Sequence, residues 1–329
     1  MIVDRIDRID RRTVRSAVEL AARAPSVHNS QPWRWRIGDR TVHLHADLRR
    51  WLPVTDADGR DLLLSLGAVL HHLRVALAAS GLHATVHRFP NPDALDHVAA
   101  VELRPRVPTE ADLGFASAIV ARRSDRRGYS DWEVPPALVG ELIDRAAEQG
   151  ATLRPMTAAG ARARIEQAVT AAAAAHAALP GYHTETVLWS GRTASDDGVP
   201  AANLLRDIEG RGLDRAFPPG AVERDPGLTD GGLLAVLGTA SDDRLSQLRA
   251  GEALSAVVLH ATRAGLATCP LSEVLEIEET RTALREEVLL GTLSPQLLVR
   301  IGWAPPQPLP ATPRLPVDAT IDGPRPEER

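Results

Sequence analysis

Two long apolar segments of this chain repeat each other at a fixed spacing, and the repeat sets the architecture before any motif is read. An offset of 184 residues places Gly67 on Gly251, Asp58 on Asp242, Arg60 on Arg244, Leu64 on Leu248 and Leu70 on Leu254. Gly81 and Leu82 then fall on Gly265 and Leu266. Both copies, LLLSLGAVLHHLRVALAASGL and LSQLRAGEALSAVVLHATRAGL, read as one long helix, apolar over most of its surface and closed by a glycine suited to a left-handed C-cap. Such helices are buried, here against each other. Two Ala/Leu-rich helices share composition by default, but seven matches at one offset favour a duplication.

The remaining pattern sorts around that repeat. An opening helix spans about 10–23, and WRWRIGDRTVHLHA alternates around a Gly-Asp turn signal as a hairpin does. Strands are predicted at 96–103, 232–238 and 296–302, and helices near 110–123, over VPPALVGELIDRAAEQG with a proline near its first position, and over the Ala-rich 157–178. From Ala304 the tail is proline-rich and extended. Strands and helices mix without regular βαβ alternation, which gives an α+β fold. The chain divides into a first half at 1–109, a second half at 110–303 with a long Gly/Asp/Pro-punctuated insertion at about 189–219, and a C-terminal arm at 304–329.

Composition narrows the partners. A chain of 329 residues with a net charge of -5 is an unsuitable partner for a polyanion, and no nucleic acid is expected. No run reads as an unbroken apolar span, so no membrane is expected either. The single cysteine, Cys269, excludes an internal disulfide, and the charged start MIVDRIDRIDRRTVR lacks the apolar core of a signal peptide, so a cytoplasmic location is expected. His43 and His45 share a strand face with no third ligand in sequence, so no metal is expected. No G-x-G-x-x-G follows a strand. All 38 basic residues are arginine, which excludes a Schiff-base lysine and leaves any phosphate clamp to guanidinium forks.

Two short segments carry candidate chemistry. Residues 122–126 read RRSDR; on a helix Arg122 and Arg126, or Arg123 and Arg126, would share a face able to close on a phosphate, although a solvated charge run reads the same. Residues 24–33 read APSVHNSQPW, in which Asn29 and Gln31 offer amides that both donate and accept and Ser26 offers a hydroxyl. An Asx or Ser turn leading into a strand would use the same residues. His28 is given no role, and Arg11, Arg12, Thr13 and Arg15 are read as the solvated face of the opening helix.

These segments, in this order, resemble the FMN-dependent nitroreductase family, and the chain as a whole resembles its Acg-like actinobacterial branch. The likeness includes GEALSAVVLHATRAGLATCPLS, the DGVP at 197–200, and the closing PQLLVRIG and PRLPV. It implies a nitroreductase-like fold whose two halves stand in for the family homodimer. It implies an FMN site built from Pro25, Ser26, Asn29 and Gln31 of the first half with Arg122, Arg123, Ser124, Arg126, Pro270, Leu271, Ser272 and Arg314 of the second. Backbone amides of the CPLS loop and Ser272 would lie at flavin N5, and no catalytic side chain is assigned. A second P-S-x-x-N-x-Q-P-W is missing after VPPALVGELIDRAAEQG, where the chain reads ATLRPMTAAG, and HATVHRFP follows Gly81-Leu82 in place of a Pro-Leu loop. One working and one degenerate site per chain are expected, in a monomeric pseudo-dimer, with a homodimer of such chains as the alternative assembly. The implied activity is hydride transfer from NAD(P)H to a small-molecule acceptor such as a nitroaromatic or quinone. The alternative is a flavin-sequestering protein whose 189–219 segment covers the cofactor.

Overall fold

The computed structural model describes residues 9–206, 212–223 and 230–322. Its first half runs α1 (Arg11–Ala21), β1 (Trp33–Ile37), β2 (Thr41–Ala46), α2 (Arg60–Ala79), β3 (Leu82–Arg88) and β4 (His97–Pro105). A connecting helix, α3 (Glu110–Ala121), opens with a capping box in which the Thr109 hydroxyl and the Asp112 carboxylate each satisfy the other's backbone amide. The second half continues with α4 (Pro136–Ala147), β5 (Thr152–Pro155), α5 (Ala159–Ala178), α6 (Tyr182–Leu188), the short β6 (Ser190–Arg192) and β7 (Val199–Pro200), then β8 (Leu233–Thr239), α7 (Arg244–Arg263), β9 (Ala267–Leu271), α8 (Glu273–Glu276), α9 (Glu278–Ala283) and β10 (Ser294–Gly302).

The duplication is visible in the sheets. One has the order β1-β2-β4-β3 and the other β5-β8-β10-β9, both antiparallel throughout, so corresponding strands occupy corresponding places. The tight turn between β1 and β2 is replaced in the second half by the long span between β5 and β8 that carries α5, α6 and the predicted insertion. Each half has its own core, one around Trp33, Trp35, Leu66 and Val101, the other around Leu153, Leu254, Val258 and Val299. The repeat mates Leu64 and Leu248 are exchanged: Leu248 packs into the first core and Leu64 into the second. This reciprocity is what a two-fold interface produces, here within one chain.

Three local expectations differ from the structure. CPL of the expected CPLS loop belongs to strand β9, the counterpart of β3 in the other half. Residues 122–126 are not helical, because Arg122 leaves α3 with extended backbone and Ser124 forms a β-bridge to Thr268. Among the described residues α2 is long and apolar enough to cross a membrane by length and composition, against the expectation that no run would be, and most of it is buried inside this fold. The arm from the second half crosses to the first sheet, where the Trp35 amide donates to Thr320 O (2.8 Å) and the Asp322 amide to Trp35 O (2.7 Å).

Candidate functional site

A cavity of about 770 Å³, its open mouth included, lies at the seam between the halves. The first half lines it with Pro25, Ser26, Val27 and His28 and with Asp61, Leu64 and Ser65 of α2. The second half adds Ser124, Arg126, Pro270, Leu271, Ser272 and Glu273. The predicted insertion closes one side with Leu213, Asp214, Arg215 and Phe217.

Backbone interactions put these segments side by side. β9 is an edge strand, and the Asp125 amide donates to Thr268 O (2.9 Å), which hooks RRSDR beside CPLS. Asp125 itself is taken by Arg127 (Nη2 to Oδ2, 2.7 Å), so it does not neutralise the arginines around it. On the other side the Val27 amide donates to Ser65 Oγ (3.2 Å) and the Gln31 amide to Ser26 Oγ (3.0 Å). His28, Asn29 and Gln31 all have left-handed backbone, with φ of 47°, 54° and 52°. Such positions persist only where the surroundings over-determine them.

Here the surroundings are the insertion and the arm. Asn29 Nδ2 donates to Gly198 O (2.9 Å) and Pro313 O (3.2 Å), Gln31 Nε2 donates to Asp196 O (2.9 Å), and Gln31 Oε1 accepts from the Leu315 amide (3.0 Å). Both amides, sought as ligand contacts in the sequence, therefore clamp protein segments and do not line the cavity. Arg314 behaves alike: its guanidinium donates to Ala22 O, Arg23 O and Ala24 O, tying the arm to the end of α1.

Arg122, Arg123 and Arg314 meet instead in a small recess with Arg23, Ile119 and Thr312. Among the described residues no carboxylate pairs with any of the four arginines. Burial, then the charges of Arg123 and Arg23, pushes Arg122 down to about 10; burial, then Arg122, Arg23 and Arg123, pushes Arg314 down to about 9. The Nε atoms of Arg122 and Arg123 are buried without a partner. Uncompensated cations aimed at one space form an anion site, suited to a phosphate dianion. The recess adjoins the cavity through the chain, since Ser124 follows Arg123 and Pro25 lies two residues after Arg23.

Several cavity residues had no role in the sequence reading. His28 is buried with both ring nitrogens unpartnered, edge-on to Phe217 at 5.2 Å, and burial followed by the Arg215 charge keeps it neutral. Arg126 also lies over the Phe217 ring, 5.0 Å from its centroid. Arg215 of the insertion pairs with the buried Glu276, which also meets His176 Nε2 at 3.2 Å. Arg300 Nη1 holds Asp214 Oδ2 at 3.1 Å, with both side chains buried. No sequence signal marks these partners, because Arg215 and Glu276 are 61 residues apart and only the fold joins them.

The mirror of this cavity carries a buried ion-pair cluster. By the 184-residue relation Glu252 stands where α2 has Ala68, and Arg88 stands where β9 is followed by Ser272. Arg88 Nε donates to Glu252 Oε2 (2.7 Å) and Arg74 Nη1 to Glu252 Oε1 (3.1 Å), with the carboxylate wholly buried. An ion-paired arginine thus stands in the mirror place of Ser272, which lines the cavity.

No family model matches the chain. It is 44% identical over 327 residues to Rv3131 of Mycobacterium tuberculosis H37Rv, named as a candidate NAD(P)H nitroreductase, covering 96% of this chain and 92% of that protein. It is 40% identical over 316 residues to acg of the same strain, which carries the same designation, covering 93% and 94%. Among solved structures it is similar to the FMN-dependent nitroreductase NfnB of Mycobacterium smegmatis in complex with NADPH, at 16% identity and a TM-score of 0.42, covering 66% of this chain and 100% of that one.

Proposed function

Since the chain belongs to the NAD(P)H nitroreductase family of these mycobacterial relatives, we propose that it binds one FMN at the seam and transfers hydride from NAD(P)H to a nitroaromatic, quinone or similar acceptor. The observation that carries this reading is the carboxylate-free arginine recess beside a cavity lined from both halves. The orphaned Nε atoms of Arg122 and Arg123 fit a phosphate, and Arg23 adds a third charge. Ser26, Ser124 and Arg126 line the space in which the ribityl chain and ring would lie, with Ser272 and the Pro270-Leu271 backbone at the reactive edge. Asn29, Gln31 and Arg314 act one step back, holding the P-S-V-H-N loop against the insertion and the arm. When bound, FMN supplies the hydride acceptor and donor, its N5. The chain's own residues bind and orient it and exclude water with Leu213, Arg215 and Phe217.

A second reading rests on the insertion. Two buried ion pairs, Arg215 with Glu276 and Arg300 with Asp214, fix its wall over the cavity, which suits a protein that holds FMN and turns over little. In both readings the chain is a monomeric pseudo-dimer of 1–109 and 110–303 with one site. The anaerobic visible spectrum of the FMN-loaded protein separates them: bleaching by excess NADPH supports the reductase, and persistent flavin bands support sequestration. More than one FMN per chain would count against the single site.

A further inference from the structure

Asp61 has no structural duty that accounts for its place. It sits in the first turn of α2, is 5% exposed, and lines the cavity next to Ser272. Its helix is capped by another residue: Asp56 Oδ1 accepts from the Asp61 amide (3.0 Å) and Asp56 Oδ2 from the Leu62 amide (2.8 Å). No arginine pairs with the Asp61 carboxyl among the described residues, and its Oδ2 is buried without a hydrogen-bond donor.

Its neighbour is another carboxyl. The Asp61 carboxyl lies within the field of Glu276, which accepts from Ser272 Oγ (2.7 Å), pairs with Arg215 and meets His176. Two neighbouring carboxyls cannot both ionise in a buried site, so one proton stays on the pair. Arg215 and His176 select Glu276 as the charged member. Burial, then the Glu276 and Asp56 charges, accordingly holds Asp61 well above the usual carboxylate range. Other ionisable groups around this pair are Asp56, which burial pushes up to about 7, Glu273 on α8, Tyr182 on α6, and His28 and Arg126 in the cavity wall.

Resting on the reductase reading above, we propose that Asp61 is the proton donor of this site, delivering its proton to the acceptor oxygen on which negative charge lands as hydride arrives. The hydride comes from reduced flavin. The Asp61 O–H bond breaks, the proton joins the nitro or quinone oxygen, and the bonding pair stays on the Asp61 carboxylate. That carboxylate then faces the charged Glu276, and the repulsion drives its reprotonation from solvent.

The test uses the whole protein, Asp61→Asn and Glu276→Gln. In the infrared spectrum at a pH well above 7, where the Asp56 carboxyl is ionised, the wild type is expected to show a protonated-acid carbonyl band that is lost in Asp61→Asn. The band is also expected to vanish in Glu276→Gln, where Asp61 survives but gains Arg215 as partner. With flavin reduced by dithionite, so that NADPH is not needed, oxidation by a quinone should slow about 100-fold or more in Asp61→Asn. Oxidation by ferricyanide, which takes no proton, should keep its rate. Absence of the band in the wild type, or equal quinone rates in wild type and Asp61→Asn, overturns the inference. Failure of NADPH to bleach the flavin overturns the reductase reading and leaves the dithionite comparison to decide on Asp61.

Discussion

Gly67 and Gly251 meet back to back where α2 crosses α7. A β-carbon on Gly67 would lie 2.0 Å from Leu248 O and 2.9 Å from the Gly251 Cα; one on Gly251 would lie 2.1 Å from Leu64 O and 2.9 Å from the Gly67 Cα. The four residues are two pairs of repeat mates, so the contact maps onto itself under exchange of the halves. The crossing is as close as backbone allows, and only glycine permits it.

Alanine at either position meets backbone that has no rotamer to change. The helices would have to separate, and overpacking of this kind costs about 1–3 kcal/mol, against about 1 kcal/mol gained from helix propensity. We expect Gly67→Ala and Gly251→Ala each to lower unfolding free energy in urea by up to about 2 kcal/mol. Gly140→Ala in α4, where a β-carbon meets nothing within 4 Å, is the control and should be neutral or stabilising. Equal behaviour of all three would remove the crossing as the fold's pivot.

That pivot was legible in the sequence because it depends on period and offset alone. The hairpin, the long helices and the two segments that meet at the cavity were legible for the same reason. What Asn29, Gln31 and Arg314 do was not, since their partners are backbone carbonyls and amides of Gly198, Asp196, Leu315 and Ala22, which any residue supplies. Asp61 was hidden for a different cause: its proton is set by Glu276 and Arg215, distant in sequence, and an aspartate early in a helix reads as dipole decoration.

The arginine recess carries a cost in the absence of a ligand. Burial pushes Arg122 down to about 10, below the ordinary arginine range, so the folded state disfavours the bound proton. The penalty, about 3 kcal/mol, is fully present below pH 10 and is relieved only as pH rises from there toward the ordinary arginine range. A phosphate dianion should relieve it at neutral pH. We expect inorganic phosphate to raise the thermal midpoint of the flavin-free protein. Arg122→Met should abolish that response, weaken FMN binding, and stabilise the flavin-free protein by about 1–3 kcal/mol. Destabilisation of the flavin-free protein by the same change would mean Arg122 has a structural partner.

The mirror position holds its own plug. Removing the Glu252 charge leaves Arg88 and Arg74 facing each other, both still partly in water, so the loss is smaller than for a fully buried pair, about 2–3 kcal/mol. We expect Glu252→Gln to be destabilised by that amount and still to bind one FMN per chain. A stoichiometry approaching two would show that the plug alone kept a second site closed.

The insertion's hold over the cavity should be indifferent to mild acid. Burial alone would raise Glu276, but the Arg215 charge and the His176 hydrogen bond hold it below its ordinary 4.5. A lowered carboxyl contributes stability that is complete above the unfolded value and is lost only as pH falls through the folded one. Acidifying from neutral to about pH 5 therefore leaves the Arg215–Glu276 pair intact, and access of NADPH to the flavin should not rise. Phe217→Ala should raise it at every pH, because that ring lines the cavity against His28 and Arg126 and no ion pair depends on it. Stopped-flow bleaching of the flavin by NADPH measures both. Faster bleaching at pH 5 in the wild type, or none gained in Phe217→Ala, would place the barrier elsewhere in the wall.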